Sequence, residues 1–446
     1  MMRAWPRNRR TAFGPLIACA ATLALIVGVA SAAKHAKPGS LDASFGRGGI
    51  ATLGAGTRLF GIAVQSDGKV VAVGESGAGS SADLLVARFT ASGGLDRSFG
   101  HGGLARGPRL AAGFDKSSVG RAVAIEPDGK LAVVGSATDR SGTYTDGLLI
   151  ERYNSNGSLD GSFASHGVAN VLTGTLFGAG DAVAIQRDGK IVAAGSATAA
   201  GSGGNTPRVA VVRLKPNGSL DSSFRGKGLD VIDLGAFSNA LAVALQRNGT
   251  IVIAGSQAPK LQVTNALIAR LTPSGALAGS YAHQYARHGA FSSFDGLAVQ
   301  GNGTIVAAGP ATHGNTGADT IVARFSPSGH QAGVTYTPSA TNFTESSSSA
   351  VPGASAVAIA TGGEVFATGE IANSVDVKLA IWAITPGGRL DAGFGSHGVA
   401  LLRLSAGENS EGAAIAVAPG GKLVVAGDEN SPAKALYKGL VASYNG

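Results

Sequence analysis

The chain has 446 residues, 69 of them glycine; 14% of its residues are charged, 44% are hydrophobic, and the net charge is +8. So little charge with so much Gly, Ala, Val and Ser argues against a helical bundle or coiled coil and for many short strands joined by tight turns. Aromatic residues are only 6%, so the core is expected to be Val, Ile, Leu and Ala on pleated surfaces.

At the N-terminus, Arg7-Asn8-Arg9-Arg10 leads into an apolar stretch from Pro15 to Val29, followed by Ala30-Ser31-Ala32-Ala33. A basic, then apolar, then small-residue order is that of a secretory signal peptide. Residues 1–33 are therefore expected to be a signal cleaved after Ala32 or Ala33, with 34–38 a short linker and 39–446 a single repeat domain. This places the protein outside the cytoplasm, secreted or in the cell envelope. An uncleaved membrane anchor is the alternative, because the apolar stretch approaches spanning length. Leu16-Ile17-Ala18-Cys19 resembles a lipobox, but the apolar run continues past Cys19. Cys19 is the only cysteine, so no disulfide or thiol chemistry is expected after cleavage. Four of the positive charges, Arg3, Arg7, Arg9 and Arg10, lie in the same segment. The other Lys and Arg are scattered with no basic run beside an aromatic platform, so nucleic acid is not an expected partner.

From Gly61 onward one pattern recurs: a short apolar strand, a tight turn, and a second apolar strand ending in Gly. The turn glycines are Gly68, Gly129, Gly189, Gly249, Gly303, Gly363 and Gly421, spaced by 61, 60, 60, 54, 60 and 58 residues. Asp67-Gly68, Asn248-Gly249 and their counterparts predict type I′ hairpin turns. A third strand follows in each copy, such as Leu84–Phe89, Leu148–Tyr153 and Val209–Leu214. Next comes a Leu-Asp-x-Ser-Phe element, seen at Leu41–Phe45, Leu95–Phe99, Leu159–Phe163 and Leu220–Phe224, with Leu390–Phe394 a variant, and then a short fourth strand. Four strands in each of seven units predict an all-β, seven-bladed β-propeller with four-stranded antiparallel blades.

These motifs resemble those of the delta-60 repeat family of bacterial proteins, over roughly Gly39 to Gly446, and are similar to NHL-type propeller repeats. The resemblance implies a propeller and no particular activity. Copies four and five lack the Leu-Asp-x-Ser-Phe element, and copy six has Ala383 where others have the strand-three arginine. The chain ends on a third strand and its turn, and begins on what normally follows that turn. Gly49 to Leu53 is therefore expected to close the last blade as its outer strand, tying both termini into one sheet.

The repeated aspartates are expected to accept backbone hydrogen bonds in their turns, with the flanking Leu and Phe buried. Arg88, Arg152, Arg213, Arg270 and Arg324 form a stripe on strand three. Pairing with the next aspartate is not expected, because Arg270 and Arg324 have none while Asp42 and Asp391 follow copies without the arginine. Packed stems and solvated heads are expected instead. His166, His288 and His397 share one repeat position before a Gly, which reads as an exposed turn. His283, His288, His313 and His330 fall in the irregular copies and are the candidate ligand site, without metal-ligand spacing. No catalytic or cofactor-binding residue is identified, and no cofactor or metal is expected. The chain reads as a monomeric binding or scaffold module for a protein, glycan or small molecule, with the membrane a partner only if residues 1–33 are retained. An extracellular propeller lyase, hydrolase or quinoprotein-like oxidoreductase with a site at the central channel is the alternative.

Overall fold

The computed structural model describes residues 36–77, 82–108, 117–138, 147–171, 178–198, 206–235, 237–260, 263–286, 291–312, 317–341, 353–372, 377–402, 404, 408–431 and 436–446. The expected signal peptide lies outside the described residues. None of the described residues is helical.

Each copy folds as an antiparallel meander, strand one to strand four. Blade 1 comprises Thr57–Val64, Val70–Ser76, Asp83–Phe89 and Leu104–Arg106. The first strands of the following blades are Ser117–Ile125, Gly178–Ile185, Phe237–Leu245, Gly296–Val299, Ala354–Ile359 and Asn409–Val417. Each first strand packs on the first strand of the next blade, and that of blade 7 packs on that of blade 1. The ring is therefore closed around an axis lined by first strands, a seven-bladed propeller. Strands two and three are buried on both faces, as at Val70–Val73 and Leu84–Ala87, which is why they read as continuous apolar runs. Seven hydrophobic clusters fill the seven interfaces between blades; Phe163 with Ile191 and Val212 marks the one between blades 2 and 3.

The N-terminal segment closes the ring as the sequence predicts, slightly longer than expected. Ile50–Ala55 is the outer strand of blade 7, with Ile50 opposite Ala442 and Thr52 opposite Leu440. Gly39 N–H donates to Asn445 O at 2.7 Å and Asp42 N–H to Ser443 O at 2.7 Å. Blades 4 and 5 differ from the rest. Their fourth strands, Leu277–His283 and Gln331–Thr341, follow strand three directly after a short turn and run further along it.

The hairpin turn is not type I′. Gly68 has φ +82° while Asp67 is not among the positive-φ residues. Gly68 N–H donates to Gln65 O and Gln65 N–H to Lys69 O. This is a three-residue loop, a type I turn ended by a left-handed glycine. Asp67 contributes its side chain instead, accepting Lys69 N–H at 3.1 Å. Only copy seven has two adjacent positive-φ residues, Gly420 and Gly421, following Pro419.

Candidate functional site at the channel mouth

Strand two reaches a glycine in every copy: Gly74, Gly135, Gly195, Gly255, Gly309, Gly369 and Gly427. A Cβ at any of them would stand 1.8–2.1 Å from a carbonyl oxygen of strand one. Glycine thus admits a strand that carries one residue too many, a β-bulge. The register slips at Phe60, Arg121, Asp181, Leu241, Ser355 and Ala413. Asp295 holds the same position in blade 5, one residue after the Ser293-Phe294 backbone that crowds Gly309. All seven residues line one cavity of about 320 Å³ at the channel mouth, one from each blade. Arg58, Glu370, Glu411 and Asp428 add to its polar wall.

Charge is unevenly distributed around this ring. Arg58 Nε donates to Asp428 Oδ2 at 3.0 Å, and its Nη2 lies 3.7 Å from Glu411. Phe60 stands between two guanidiniums, with Arg58 5.2 Å and Arg121 4.6 Å from its ring centre. Burial pushes the Glu370 carboxyl up to about 7, and neighbouring Glu411 and Asp428 add to the rise. Burial also raises Asp295 to about 7, against a 2.6 Å hydrogen bond from the Ser293 hydroxyl. Asp181 rises to about 6 through burial, opposed by Arg121. Glu411 and Asp428 are likewise raised, first by burial, with Arg58 opposing. The Asp428 side chain is 4% exposed, and its Oδ1 has no hydrogen-bond partner. Five carboxylates thus face two guanidiniums in one cavity. Among the described residues, no group of three or more His, Cys, Asp or Glu is arranged to hold a metal ion.

The histidine candidates sit elsewhere. His283 is an exposed residue of the blade 4 outer strand, 4.8 Å from the Tyr285 ring centre. His330 is exposed in a blade 5 turn, its Nδ1 2.9 Å from Ser328 Oγ. His288 and His313 lie outside the described residues. His166 and His397 occupy turns at φ +52° and +54°.

The arginine stripe corrects the sequence reading. Arg88, Arg152 and Arg213 are buried and bonded to the following aspartate, with Nε to Oδ2 distances of 2.9, 2.9 and 2.8 Å to Asp96, Asp160 and Asp221. Each also donates Nη1 to a turn carbonyl of the next blade, on Ser155, Pro216 or Pro273. Each guanidinium covers a buried phenylalanine ring, at 4.6 Å from Phe99, 4.5 Å from Phe163 and 4.8 Å from Phe224. The sequence argument failed because it required one rule for every copy. In blade 7, where Ser443 replaces the arginine, Lys422 Nζ takes its place on Asp42 at 2.6 Å. The aspartates do accept backbone N–H groups, as Asp96 does from Ser98 at 3.1 Å. The phenylalanines are buried, but Leu95 and Leu220 are exposed.

Fold and channel together define a seven-bladed propeller with a charged mouth. Residues 65–99, 126–163, 186–224 and 300–330 match a family described as a domain of unknown function (DUF5122) β-propeller. The chain is thus similar to a bacterial β-propeller repeat family. No curated protein matches it. Similar solved structures include a protein of unknown function from Bacteroides caccae, at 14% identity over 63% of this chain and 82% of that one, TM-score 0.38. Another is Sqt1 from Chaetomium thermophilum bound to the N-terminus of the ribosomal protein L10, at 12% identity over 89% and 99%, TM-score 0.45. A third is the PQQ-bound aldose sugar dehydrogenase from Streptomyces coelicolor, at 12% identity over 75% and 93%, TM-score 0.39. None of these likenesses bears on ligand or activity.

Proposed function

We propose that this chain is a binding propeller, secreted or held in the cell envelope, whose channel mouth takes a small cationic ligand such as an amine or a basic side chain. The observation that supports the ligand class is Asp428 Oδ1, buried without a partner in a cavity where five carboxylates face two guanidiniums. Buried negative charge without a counter-charge is costly. In the empty site that cost appears as carboxyls driven up toward neutrality. An ammonium group entering the cavity supplies the missing charge and expels the protons. The basic, apolar and small-residue order of residues 1–33 supports a location outside the cytoplasm. The repeated Leu-Asp-x-Ser-Phe and Asp-Gly-Lys motifs support placing the repeats in the delta-60 family.

The test is calorimetric titration of the purified protein with 1,4-diaminobutane. Saturable binding is expected, weakened about tenfold or more in the Glu370→Gln/Glu411→Gln double variant. Because Glu370 and Asp295 titrate at about 7 in the empty site, affinity should rise as pH goes from about 5 to about 8. Equal binding of a neutral saccharide, or affinity falling over that range, overturns the reading. Carboxyls titrating near neutrality also suit general acid–base work, so an extracellular lyase or hydrolase is the second reading. Turnover abolished by Glu370→Gln would select it.

A further inference from the structure

Arg270 is the blade 4 member of the stripe that clamps blades 1 to 3, but it has lost its carboxylate. In those blades the guanidinium Nε donates to an aspartate of the Leu-Asp-x-Ser-Phe element. In blade 4 that element is gone and the fourth strand runs in its place, with Gly279 directly opposite Arg270. A Cβ on Gly279 would meet nothing within 4 Å. Arg270 Nη1 still reaches blade 5, donating to Ser328 O at 3.0 Å. Its Nε is buried with no partner. The space beside it is a cavity of about 350 Å³ between blades 4 and 5, lined by Arg270, Gly279, Tyr281, Ser328, His330 and Gln331 among others. No carboxylate lines it. A buried guanidinium N–H without an acceptor is unfavourable, and a guanidinium fork recognises a carboxylate better than any other common group.

The geometry points to a carboxylate-binding site in this cleft: a ligand carboxylate takes the position that Asp96, Asp160 and Asp221 take within the regular blades. The carboxylate comes either from a small organic acid or from an aspartyl side chain presented by a peptide. The three regular blades show the bound state from within the same molecule. There the acid accepts from Nε, and a serine hydroxyl donates to its other oxygen, as Ser223 does to Asp221 at 2.8 Å. The cleft is separate from the channel mouth and prefers the opposite charge, so neither proposal depends on the other.

Two probes distinguish the sources. One is sodium acetate, followed by line broadening of its carbon-13 signal. The other is the pentapeptide Leu-Asp-Ser-Ser-Phe, the sequence of residues 220–224, with Leu-Asn-Ser-Ser-Phe as its neutral control, followed by calorimetry. Saturable binding of acetate, with the peptide no tighter, assigns the site to small acids. Peptide binding about tenfold tighter than acetate, lost with asparagine, assigns it to an aspartyl peptide. In both cases Arg270→Gln must lose the binding, Arg270→Lys must weaken it by removing the fork while keeping the charge, and Arg121→Gln in the channel must leave it unchanged. Melting midpoints of the variants near that of the parent protein show that the fold is intact. Absence of saturable binding by either probe overturns the proposal, as does binding that survives Arg270→Gln or disappears with Arg121→Gln.

Discussion

Blades 1 to 3 and blades 4 and 5 place an arginine at the same position of strand three and treat it differently. In the regular blades the guanidinium is closed on all sides: an aspartate at Nε, a carbonyl of the next blade at Nη1, and a phenylalanine ring beneath. In blade 4 only the carbonyl remains. In blade 5 Arg324 Nη2 donates to Thr385 O at 2.8 Å, Gly333 stands opposite it in register, and burial alone lowers its pKa. The blade-to-blade hydrogen bond is thus the constant feature of the stripe. The carboxylate is an addition that three copies carry and two have dropped. A closed clamp is a structural device, whereas an open one leaves unsatisfied polarity and room beside it, the two conditions a binding site needs.

The largest expected effect comes from removing the closing strand. Deleting residues 36–55 takes away the outer strand of blade 7, buried Phe45 and Leu53, and the Lys422–Asp42 pair. It should lower the melting midpoint by more than any single substitution, and a truncated chain that melts like its parent would show that closure does not matter. Next is Asp221→Ala, which leaves Arg213 buried without its carboxylate. Removing one partner of such a pair costs about 3–5 kcal/mol, measurable by urea denaturation. The Ser98 hydroxyl, against the effect of burial, and then Ser98 N–H and Arg88 hold Asp96 below the usual carboxylate range. The stabilisation from such groups is present above the unfolded-state value of about 4 and is lost as pH falls through the lower folded-state value.

Glu151 tilts the curve in the opposite sense. It is fully buried, and burial raises it to about 7 although the Tyr153 hydroxyl donates to it. Between about 4.5 and 7 the folded state holds a proton that the unfolded state has released, so stability falls as pH rises across that window. Glu151→Gln should flatten that part of the profile, read from denaturation midpoints at pH 5 and 7.5, and a parallel profile would refute the assignment. Gly195→Ala is smaller. Its Cβ would lie 1.9 Å from Ala179 O, and overpacking of this kind costs about 1–3 kcal/mol. Gly161→Ala, with nothing within 4 Å, is its control.

The fold was legible because its evidence is repeated seven times. Turn glycines at a constant spacing and apolar strands on either side specify the meander, and the mismatch between the first and last residues of the chain specifies where the ring closes. The channel mouth was not legible. Phe60, Arg121, Asp181, Leu241, Asp295, Ser355 and Ala413 occupy one repeat position, but they share no chemistry, so no motif marks them. The signal that could have found them was the glycine ending strand two. Its invariance across the copies is set by a backbone contact, and that contact produces the bulge facing the axis. The three clamps were missed for the reverse reason: copies without the pair concealed the pair in copies that have it.

Arg270→Ala is expected to have the smallest effect, and it tests the opening comparison most directly. The substitution removes one partly exposed hydrogen bond to Ser328 O, worth about 1 kcal/mol, and also removes an Nε that is buried without a partner. The two consequences oppose each other, so the urea midpoint should move by less than that amount. Arg213→Ala removes the same atoms from a closed clamp and strands Asp221, whose side chain is 4% exposed, so its cost should be several times larger. A ratio near one would mean that blade 4 stabilises its arginine as fully as blade 3 does, and the open cleft would then have no unmet demand for a ligand. A large ratio would leave Arg270 as an arginine that contributes little to the fold while its Nε stays buried beside a cavity, as expected of a residue kept for something outside the chain.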